Sequence, residues 1–241
     1  MGEPRTLIVV ATYNERENVP RLAAGIREFV PKAELLVIDD NSPDGTGTWC
    51  DEQASVDPHF RVLHRPAKSG LGSATIAGLR FAIEHGYDLV VTMDADLSHD
   101  PKYLPAILAA ISAPGDPVDV VIGSRYVAGG AIEGWPLYRR LMSRCINWYA
   151  RCLLRLEPQD CSGAYRCFRV EKLRTLDLDA VRSQGYSLLE EILWMIRRQG
   201  GRFREVPITF VDRTHGSSKI SYREAWLALW IILCLRMKEE G

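Results

Sequence analysis

Val90-Val91-Thr92-Met93-Asp94-Ala95-Asp96-Leu97-Ser98-His99-Asp100-Pro101 joins an apolar run to a polar turn and the start of a new element. The apolar and β-branched residues of Leu89–Met93 are typical of a strand covered on both faces. Asp100 and Pro101 predict the N-cap and the first residue of a helix. Such a strand, turn and helix form the repeating unit of a parallel α/β sheet.

Two carboxylates, Asp94 and Asp96, lie one residue apart where this strand is predicted to end. Placing a charged side chain at the end of a buried strand costs free energy unless that charge is paired or binds a ligand. Paired carboxylate oxygens suit a hard cation that also holds substrate phosphates. The alternative is a pair of loop aspartates that cap the next helix, which accounts for Asp100 but not for Asp94 and Asp96.

The same alternation of strand and helix extends over the first half of the chain. The predicted strands are Thr6–Ala11, Glu34–Ile38, Phe60–His64, Leu89–Met93 and Asp119–Gly123, with helices over 20–29, from 48, over 70–86 and over 101–111. Ligands of parallel α/β sheets bind at the carboxyl ends of the strands. Polar clusters follow four of these strands: Thr12–Glu15, Asp39–Asp40, Asp94–Asp96 and Ser124–Arg125. Their convergence on one rim predicts a binding site there.

The alternation stops after Arg125. A helix is predicted over Leu137–Leu156, with its apolar residues at helical spacing and with arginines at 140, 144, 151 and 155 in one stripe. This stripe suits an anionic surface or ligand, or it is the solvated face of a core helix. Further predicted elements are a helix carrying Glu190 and Glu191, an edge strand over Phe203–Val211, a basic loop over Arg213–Lys219 and a C-terminal helix over about Tyr222–Met237. Trp226 and Trp230 of that last helix suit a lipid interface, a partner helix or the protein's own core.

Composition excludes several classes of protein. The chain has 241 residues, 46% hydrophobic and 25% charged, with a net charge of −1, so no overall field directs it to nucleic acid. Its six cysteines include no CxxC pair, which disfavours a zinc site or a disulfide framework. The apolar run Ala225–Leu235 is too short to span a bilayer. The sequence enters a strand directly, so we expect no secretory signal and a cytoplasmic protein with reduced thiols.

Five ordered motifs carry a resemblance to a known family. They are Thr12–Asn18 (TYNEREN), Asp39–Thr46 (DDNSPDGT), Met93–His99 (MDADLSH), Gly123–Tyr126 (GSRY) and Arg213–Lys219 (RTHGSSK). With them the chain resembles the glycosyltransferase family 2 enzymes of the GT-A fold, and among these the dolichol- or polyprenol-phosphate mannosyltransferases. The resemblance covers nearly the whole chain. It implies an α/β, Rossmann-like, mostly parallel sheet flanked by helices, with amphipathic helices toward the C-terminus. We expect one catalytic domain over 1–241, with a nucleotide-sugar half (1–126), an acceptor half (127–220) and a C-terminal helix (221–241).

The resemblance also implies roles for individual residues. The nucleoside would be held by Ala11, Tyr13, Glu15, Ile38 and Asp40. The ribose, the diphosphate and a Mg²⁺ or Mn²⁺ ion would be held by Asp94, Ala95 and Asp96, with Asp94 and Asp96 as the metal ligands. The acceptor phosphate would be gripped by Arg125, Arg139, Ser143 and Arg213, and the donor phosphates would be contacted by Lys219. Asp94, Asp96, Arg125 and Arg213 are the expected catalytic residues. Ser98 replaces a glutamine that ligates the metal in some relatives, and the role of Glu191 stays open.

The implied reaction is transfer of mannose from GDP-mannose to dolichyl or another polyprenyl phosphate, with inversion, giving a β-linked product and GDP. A donor such as UDP-glucose would be served nearly as well by the same residues. A non-catalytic nucleotide-sugar-binding subunit is the alternative from another class, and the intact Asp94/Asp96 pair argues against it. We also expect peripheral attachment to the cytoplasmic face of a membrane, directly or through a small membrane-anchoring subunit.

Overall fold

A computed structural model describes residues 3–181, 183, 185, 187–212 and 229–237 of the chain. The predicted phosphate ligands Arg213 and Lys219 lie outside the described residues, as do Trp226 and the first part of the predicted C-terminal helix.

Nine strands and seven helices are described, in the order in which they occur along the chain. The strands are β1 (Thr6–Thr12), β2 (Glu34–Asp39), β3 (Phe60–His64), β4 (Leu89–Asp94), β5 (Val120–Ser124), β6 (Ala131–Glu133), β7 (Arg166–Arg169), β8 (Phe203–Pro207) and β9 (Thr209–Val211). The helices are α1 (Asn18–Phe29), α2 (Thr46–Val56), α3 (Leu71–Glu84), α4 (Leu104–Ser112), α5 (Leu137–Leu154), α6 (Val170–Leu173) and α7 (Ser187–Arg198). A 3₁₀ turn over Pro101–Tyr103 precedes α4, and residues 229–237 are helical.

Seven of the strands form one sheet in the order β3-β2-β1-β4-β7-β5-β8. Neighbouring strands are parallel except at β7, which runs antiparallel between β4 and β5. The remaining two, β6 and β9, pair in parallel as a separate ribbon. The predicted parallel α/β sheet is therefore confirmed, with β7 and the ribbon as additions to it.

Both faces of the sheet are covered, which explains the continuous apolar runs of the sequence. In β1, Leu7 and Val9 belong to a core cluster shared with α3, whereas Ile8 and Val10 belong to a second cluster shared with α1. Helix α3 approaches β1 closely through Gly78, where a Cβ atom would lie only 2.3 Å from Val9 Cγ1.

The direction of chain progression reverses at β1, because β2 lies on one side of it and β4 on the other. Such a switch point leaves a crevice at the carboxyl ends of the two strands, where open α/β sheets bind ligands. Ala11 is the register partner of Ile38 in β2 and of Asp94 in β4. The register thus brings three predicted donor-site positions side by side.

Three predictions about individual elements need correction. The predicted helix over 101–111 begins with a 3₁₀ turn, and the predicted strand over Phe203–Val211 is two strands, β8 and β9. Pro207 ends β8, which lies at the sheet edge as a proline requires. Helix α5 ends at Leu154, two residues before the predicted limit, and its apolar stripe is divided. Leu141, Cys145 and Cys152 are exposed, whereas Leu156 is buried in the core.

Candidate active site

The turn after β4 is held in one shape by its own side chains. Ser98 donates its backbone N–H to Asp96 Oδ1 at 3.0 Å, and its hydroxyl donates to the same oxygen. Leu97, between them, has a φ of +63°, a left-handed conformation that side-chain-bearing residues rarely adopt. Ser98 is 1% exposed and turned toward Asp96, so in this structure it orients that carboxylate.

His99 fixes the backbone of Asp94, the other acidic residue of the turn. Its Nδ1 accepts the backbone N–H of Asp94 at 3.0 Å, so that nitrogen carries no proton. Burial lowers the pKa of His99, and the negative charges of Asp94 and Asp96, which act to raise it, offset this only in part. The ring packs on Tyr165, with centroids 5.1 Å apart, and edge-on to Phe210 at 5.5 Å. The hydrogen bond and the two ring contacts of His99 thus anchor the end of β4.

Asp94 and Asp96 suit a divalent cation that is shared with a substrate. No cluster of three or more His, Cys, Asp or Glu side chains able to hold a metal occurs in the described part of the chain. A Mg²⁺ or Mn²⁺ ion here would take protein oxygens from these two residues and further oxygens from a diphosphate and water, the usual arrangement for Mg²⁺. The side chain of Asp94 is 26% exposed, which leaves it within reach of a ligand in the crevice.

On the nucleoside side, Asp40 is held by a bidentate ion pair. Arg65 donates Nε to Asp40 Oδ1 at 2.6 Å and Nη2 to Oδ2 at 2.9 Å, and the N–H of Ser69 donates to Oδ2 at 3.1 Å. Tyr13 is 36% exposed, with the ammonium of Lys68 3.8 Å from its ring centre. Arg65, Ser69 and Lys68 thus contact two of the predicted donor residues, Asp40 and Tyr13.

Two other residues predicted to hold the nucleoside, Glu15 and Ile38, are engaged in contacts within the protein. Glu15 accepts a hydrogen bond from Asn18 Nδ2 at 2.7 Å and is partly buried at the start of α1. Ile38 is completely buried, and its carbonyl oxygen accepts the Thr12 hydroxyl at 3.2 Å. The side chain of Ile38 is therefore part of the core in this structure.

Across the crevice, Arg125 forms a buried ion pair. Its Nε and Nη2 donate to the two carboxylate oxygens of Asp160 at 2.7 Å each, and its backbone N–H donates to Oδ2 at 3.1 Å. Burial opposes the charge of Asp160, but Arg125 outweighs it and holds the pKa of that carboxyl below its ordinary value. Arg125 Nη2 also donates to the Ser162 hydroxyl at 2.9 Å.

A hydrogen-bond network connects Arg125 to α5. Ser143 Oγ accepts the hydroxyl of Tyr126 at 2.7 Å, and its carbonyl oxygen accepts Asn147 Nδ2 at 2.8 Å. Asn147 Oδ1 accepts the N–H groups of Cys161 and Ser162 at 2.6 and 3.2 Å. Asn147 therefore fastens the 160–163 loop to the helix that carries Ser143.

Arg139, one helical turn before Ser143, lies over the ring of Trp135. Its guanidinium is 4.0 Å from the ring centre of Trp135 and pairs with Asp212 at 3.2 Å. Trp135 meets Phe210 edge-on at 5.3 Å, and Phe210 in turn contacts His99. An aromatic chain thus connects the carboxylate turn to the arginines of the opposite side.

Behind the site lies a second buried charged group. Arg166 donates to the carbonyl oxygens of Gly163, Leu189 and Cys161 at 2.7, 2.6 and 2.5 Å. Burial raises the pKa of Glu190 to about 7, with Arg166 opposing the shift. Glu191 is 2% exposed, and its carboxylate accepts the N–H of Ser183 at 2.8 Å, so it is a buried structural group.

Comparison with known proteins identifies the family. The model of glycosyl transferase family 2 matches residues 7–177. The chain is 46% identical to undecaprenyl-phosphate mannosyltransferase of Micrococcus luteus over 217 residues, which cover 90% of this chain and 88% of that protein. The chain belongs to glycosyltransferase family 2. This glycosyltransferase is also 44% identical to polyprenol monophosphomannose synthase of Mycolicibacterium smegmatis over 218 residues, covering 90% of this chain and 81% of the other.

The fold of this family 2 glycosyltransferase has solved counterparts. A mannosyltransferase from Pyrobaculum calidifontis, solved with GDP-Man and Mn²⁺, superposes with a TM-score of 0.61 at 19% identity, covering 99% of this chain and 64% of that one. At this identity the likeness concerns the fold alone. The fold is GT-A, as the resemblance predicted.

The structure of this glycosyltransferase sorts the predicted site residues. Ala11, Asp94, Ala95 and Asp96 lie together at the switch point. Arg139 and Ser143 lie on α5, and Arg139 is connected to the carboxylate turn through Trp135, Phe210 and His99. The prediction missed His99, Asp160 and Asn147, which hold the two sides in place. Asp160 and Asn147 act on residues 35 and 14 positions away in the sequence, so no local pattern marks them. His99 acts on Asp94, five positions away, and it belongs to the quoted Met93–His99 motif, but its role was not assigned.

Proposed function

We propose that this glycosyltransferase transfers mannose from GDP-mannose to a polyprenyl phosphate, with inversion at the anomeric carbon and with Mg²⁺ or Mn²⁺ as cofactor. The observation that carries the proposal is the pair Asp94 and Asp96, held at the switch point by hydrogen bonds with His99 and Ser98. Both curated relatives carry mannosyl transfer to a polyprenyl carrier in their names. The structural neighbour was solved with GDP-Man and Mn²⁺.

The donor would lie along the carboxyl ends of β2, β1 and β4. Asp40 and Tyr13 would contact the nucleoside, with Ala11 offering backbone groups between them and Asp94. When bound, the divalent cation would neutralise the charge that develops on the leaving diphosphate. Lys219 and Arg213, which lie outside the described residues, are proposed to contact phosphates from the basic loop.

The acceptor phosphate would approach from the side of Arg139 and Ser143. One of its oxygens forms a bond to the anomeric carbon as the bond from that carbon to the GDP oxygen breaks, so a single displacement inverts the configuration and releases GDP. A phosphate monoester has its second pKa near ~6, so its oxygen is already ionised at neutral pH. No residue is then needed to remove a proton, and the arginines orient the acceptor and offset repulsion between the two phosphates.

Arg125 was expected to bind the acceptor phosphate directly, but its contacts favour a structural role in that site. Its guanidinium is paired with Asp160, so any contact it makes with the acceptor phosphate comes from a charge that is already partnered. Arg139 is also paired, with Asp212, but these two side chains are 14% and 27% exposed, against 7% and 0% for Arg125 and Asp160. Because water and ligands reach the Arg139 pair more easily, we propose Arg139 and Ser143 as the main described ligands of the acceptor phosphate, with Arg125 as the fixed base of that site.

Product formation from defined donors tests the proposal. The protein, Mg²⁺ and a short water-soluble polyprenyl phosphate are incubated with GDP-mannose or with UDP-glucose, and nucleoside diphosphate release and the glycosylated lipid are measured. We expect turnover with GDP-mannose and a β-linked product by NMR. Turnover with UDP-glucose alone would transfer the proposal to that donor, and no turnover with either would favour the non-catalytic alternative.

We further propose that the protein works at a membrane surface, since a polyprenyl chain stays in the bilayer. No helix in the described ranges is both long and apolar enough to cross a membrane. Large apolar side chains are nevertheless exposed on α5 and on residues 229–237: Leu137, Tyr138, Leu141, Trp148, Trp230, Leu233 and Met237. We name these residues the apolar surface. The two helices meet where Tyr149 donates to the carbonyl oxygen of Leu229 at 3.5 Å.

The apolar surface supports interfacial binding, because exposed tryptophans and leucines on helices partition into the headgroup region. Leu141→Asp and Trp230→Asp should each reduce binding to phospholipid vesicles and leave turnover of a water-soluble acceptor unchanged. Unchanged vesicle binding in both variants would contradict this attachment. The small membrane-anchoring subunit stays a prediction.

A further inference from the structure

A pocket of about 290 Å³ lies on the side of α5 next to the apolar surface. It is lined by Tyr126, Arg144, Asn147, Trp148, Arg151 and Gln159. We name it the arginine pocket. Two of its six lining residues are cationic and none is acidic, so its chemistry suits an anion.

One lining group has a hydrogen-bonding capacity that the described residues do not use. Nε of Arg151 is buried and has no hydrogen-bond partner among them. Buried donors are nearly always paired, and an unpaired one indicates a missing ligand or water. Arg144 lies seven residues before Arg151, so the two guanidinium stems extend from the same side of the helix. A phosphate between them would accept from two arginines, and charge-assisted hydrogen bonds of this kind are about twice as strong as neutral ones.

The arginine pocket is distinct from the proposed acceptor site. Successive residues of an α-helix are rotated by about 100°, so Arg144 and Arg151 extend from a different side of α5 than Arg139 and Ser143. Tyr126 stands between the two sides, with its hydroxyl bonded to Ser143 at 2.7 Å. The pocket therefore has cations that the proposed acceptor site does not use.

The position of the pocket indicates where its anion comes from. Trp148 lines the pocket, yet it is 65% exposed and belongs to the apolar surface. Leu141, another member of that surface, lies seven residues or about two helical turns earlier on the same side of α5. If the apolar surface lies among acyl chains, the pocket is at the level of the headgroups. We propose that the arginine pocket binds the phosphate of an anionic phospholipid headgroup. This inference rests on the proposed membrane attachment and not on the proposed reaction.

Vesicle binding by charge-matched variants tests the inference. Arg151→Gln and Arg144→Gln each remove one positive charge from the arginine pocket. The control Arg155→Gln also removes one positive charge, but Arg155 is an exposed residue directly after α5 that does not line the pocket. Partition onto phosphatidylcholine vesicles is compared with partition onto vesicles that also contain phosphatidylglycerol. A basic residue near an anionic surface contributes a factor of about five, whereas a lost arginine–phosphate contact costs about tenfold or more.

We expect about tenfold or greater loss of binding to phosphatidylglycerol vesicles in both pocket variants, about fivefold or less in Arg155→Gln, and unchanged binding to phosphatidylcholine alone. Equal losses in all three variants would overturn the pocket and leave only general electrostatic attraction. An increased KM for a water-soluble polyprenyl phosphate in Arg151→Gln would assign the pocket to the acceptor. Saturable binding of inorganic phosphate that matches the vesicle affinity would assign it to a soluble anion. Wild-type protein that binds no vesicle would overturn membrane attachment and the pocket together, while turnover of the soluble acceptor would still support the proposed reaction.

Arg151→Lys keeps the positive charge, so it separates a loss of vesicle binding due to misfolding or lost charge from a loss due to the missing guanidinium. It cannot reproduce a planar guanidinium with an Nε donor. We therefore expect it to unfold like the wild type yet to bind phosphatidylglycerol vesicles more weakly than Arg155→Gln does. Wild-type vesicle binding by Arg151→Lys would contradict specific recognition by the guanidinium.

Discussion

The buried ion pair of Arg125 and Asp160 makes the acceptor side sensitive to a single atom change. We predict that Asp160→Asn lowers the free energy of unfolding by about 3–5 kcal/mol, because it leaves a buried guanidinium without its counter-charge. The two side chains are only 7% and 0% exposed, so water cannot take the place of the carboxylate. Asp160 also accepts from the N–H of Gly163 at 3.0 Å, and one asparagine oxygen cannot serve all of these donors.

Urea unfolding followed by circular dichroism measures the loss, with Asp212→Asn as the matched control. Asp212 pairs with Arg139 at 3.2 Å, but these side chains are 27% and 14% exposed, so we expect a loss of about 1 kcal/mol or less. If Asp160→Asn also lowered the free energy of unfolding by less than about 1 kcal/mol, the Arg125–Asp160 pair would not have the energetic role of a buried ion pair.

The pH dependence of the same pair has a definite sign. Because Arg125 holds the pKa of Asp160 below its ordinary value of 3.8, the pair stabilises the folded state above about pH 4 and loses this effect as the pH falls through the lowered pKa. The difference between wild type and Asp160→Asn should therefore shrink only in strong acid. For the same reason, loss of activity in Arg125→Ala would reflect structural damage as much as a lost phosphate contact.

Three further outcomes follow from the site. Arg139→Ala should raise the KM for a short polyprenyl phosphate about ten- to a hundredfold, the effect of losing a charge-assisted contact of roughly 1.5–3 kcal/mol; an unchanged KM would move the acceptor site elsewhere. Glu190→Gln should raise the unfolding free energy at pH 8 by about 3 kcal/mol. The reason is that a buried carboxyl with a pKa of about 7 in the folded protein, instead of 4.5, destabilises the folded protein as the pH rises between these values. Equal urea midpoints for both proteins at pH 8 would refute this prediction. His99→Leu should raise the Mn²⁺ concentration for half-maximal turnover about tenfold or more, while His99→Asn, which keeps an acceptor for the N–H of Asp94, should not; equal Mn²⁺ dependence in the two variants would show that the hydrogen bond does not position Asp94.

Most of the parallel sheet could be predicted because its strands are continuous apolar runs with helices between them. Phe60–His64 forms β3 with the predicted limits, and Leu89–Asp94 extends the prediction by one residue. Strand β7 could not be found in this way. It has four residues, begins and ends with arginine, and enters the sheet antiparallel between two strands distant in sequence. Periodicity identifies an exposed or buried face, but it does not identify a strand's partners.

Helix α5 shows a second limit of periodicity. Its apolar stripe is real, yet the buried side carries Asn147, Ala150 and Leu154, and the apolar residues Leu141 and Trp148 face outward. An apolar stripe indicates that a helix has a nonaqueous neighbour without saying whether that neighbour is the core or a lipid. The division of the chain at 126 and 220 stays a prediction.

The candidate site was predictable where its residues follow strands and unpredictable where they act through distant partners. Asp94 and Asp96 stand out because charge directly follows a buried strand. Asp160 is 35 positions from Arg125, so nothing local marks their pairing. The same holds for His99 and Phe210, which meet only because β9 passes over the carboxylate turn.

The most direct test of the proposed reaction compares Asp96→Asn with Asp100→Asn. Both replace one carboxylate by an amide in the same turn, but Asp100 caps the following 3₁₀ turn through the N–H of Lys102, a role that asparagine also fills. With GDP-mannose, Mn²⁺ and a short polyprenyl phosphate, we expect Asp96→Asn to fold normally and to lose nearly all turnover, because an amide is a weak ligand for a hard cation. Asp100→Asn should keep near-wild-type turnover. Wild-type turnover with unchanged Mn²⁺ dependence in Asp96→Asn would contradict a metal-assisted transfer at this turn.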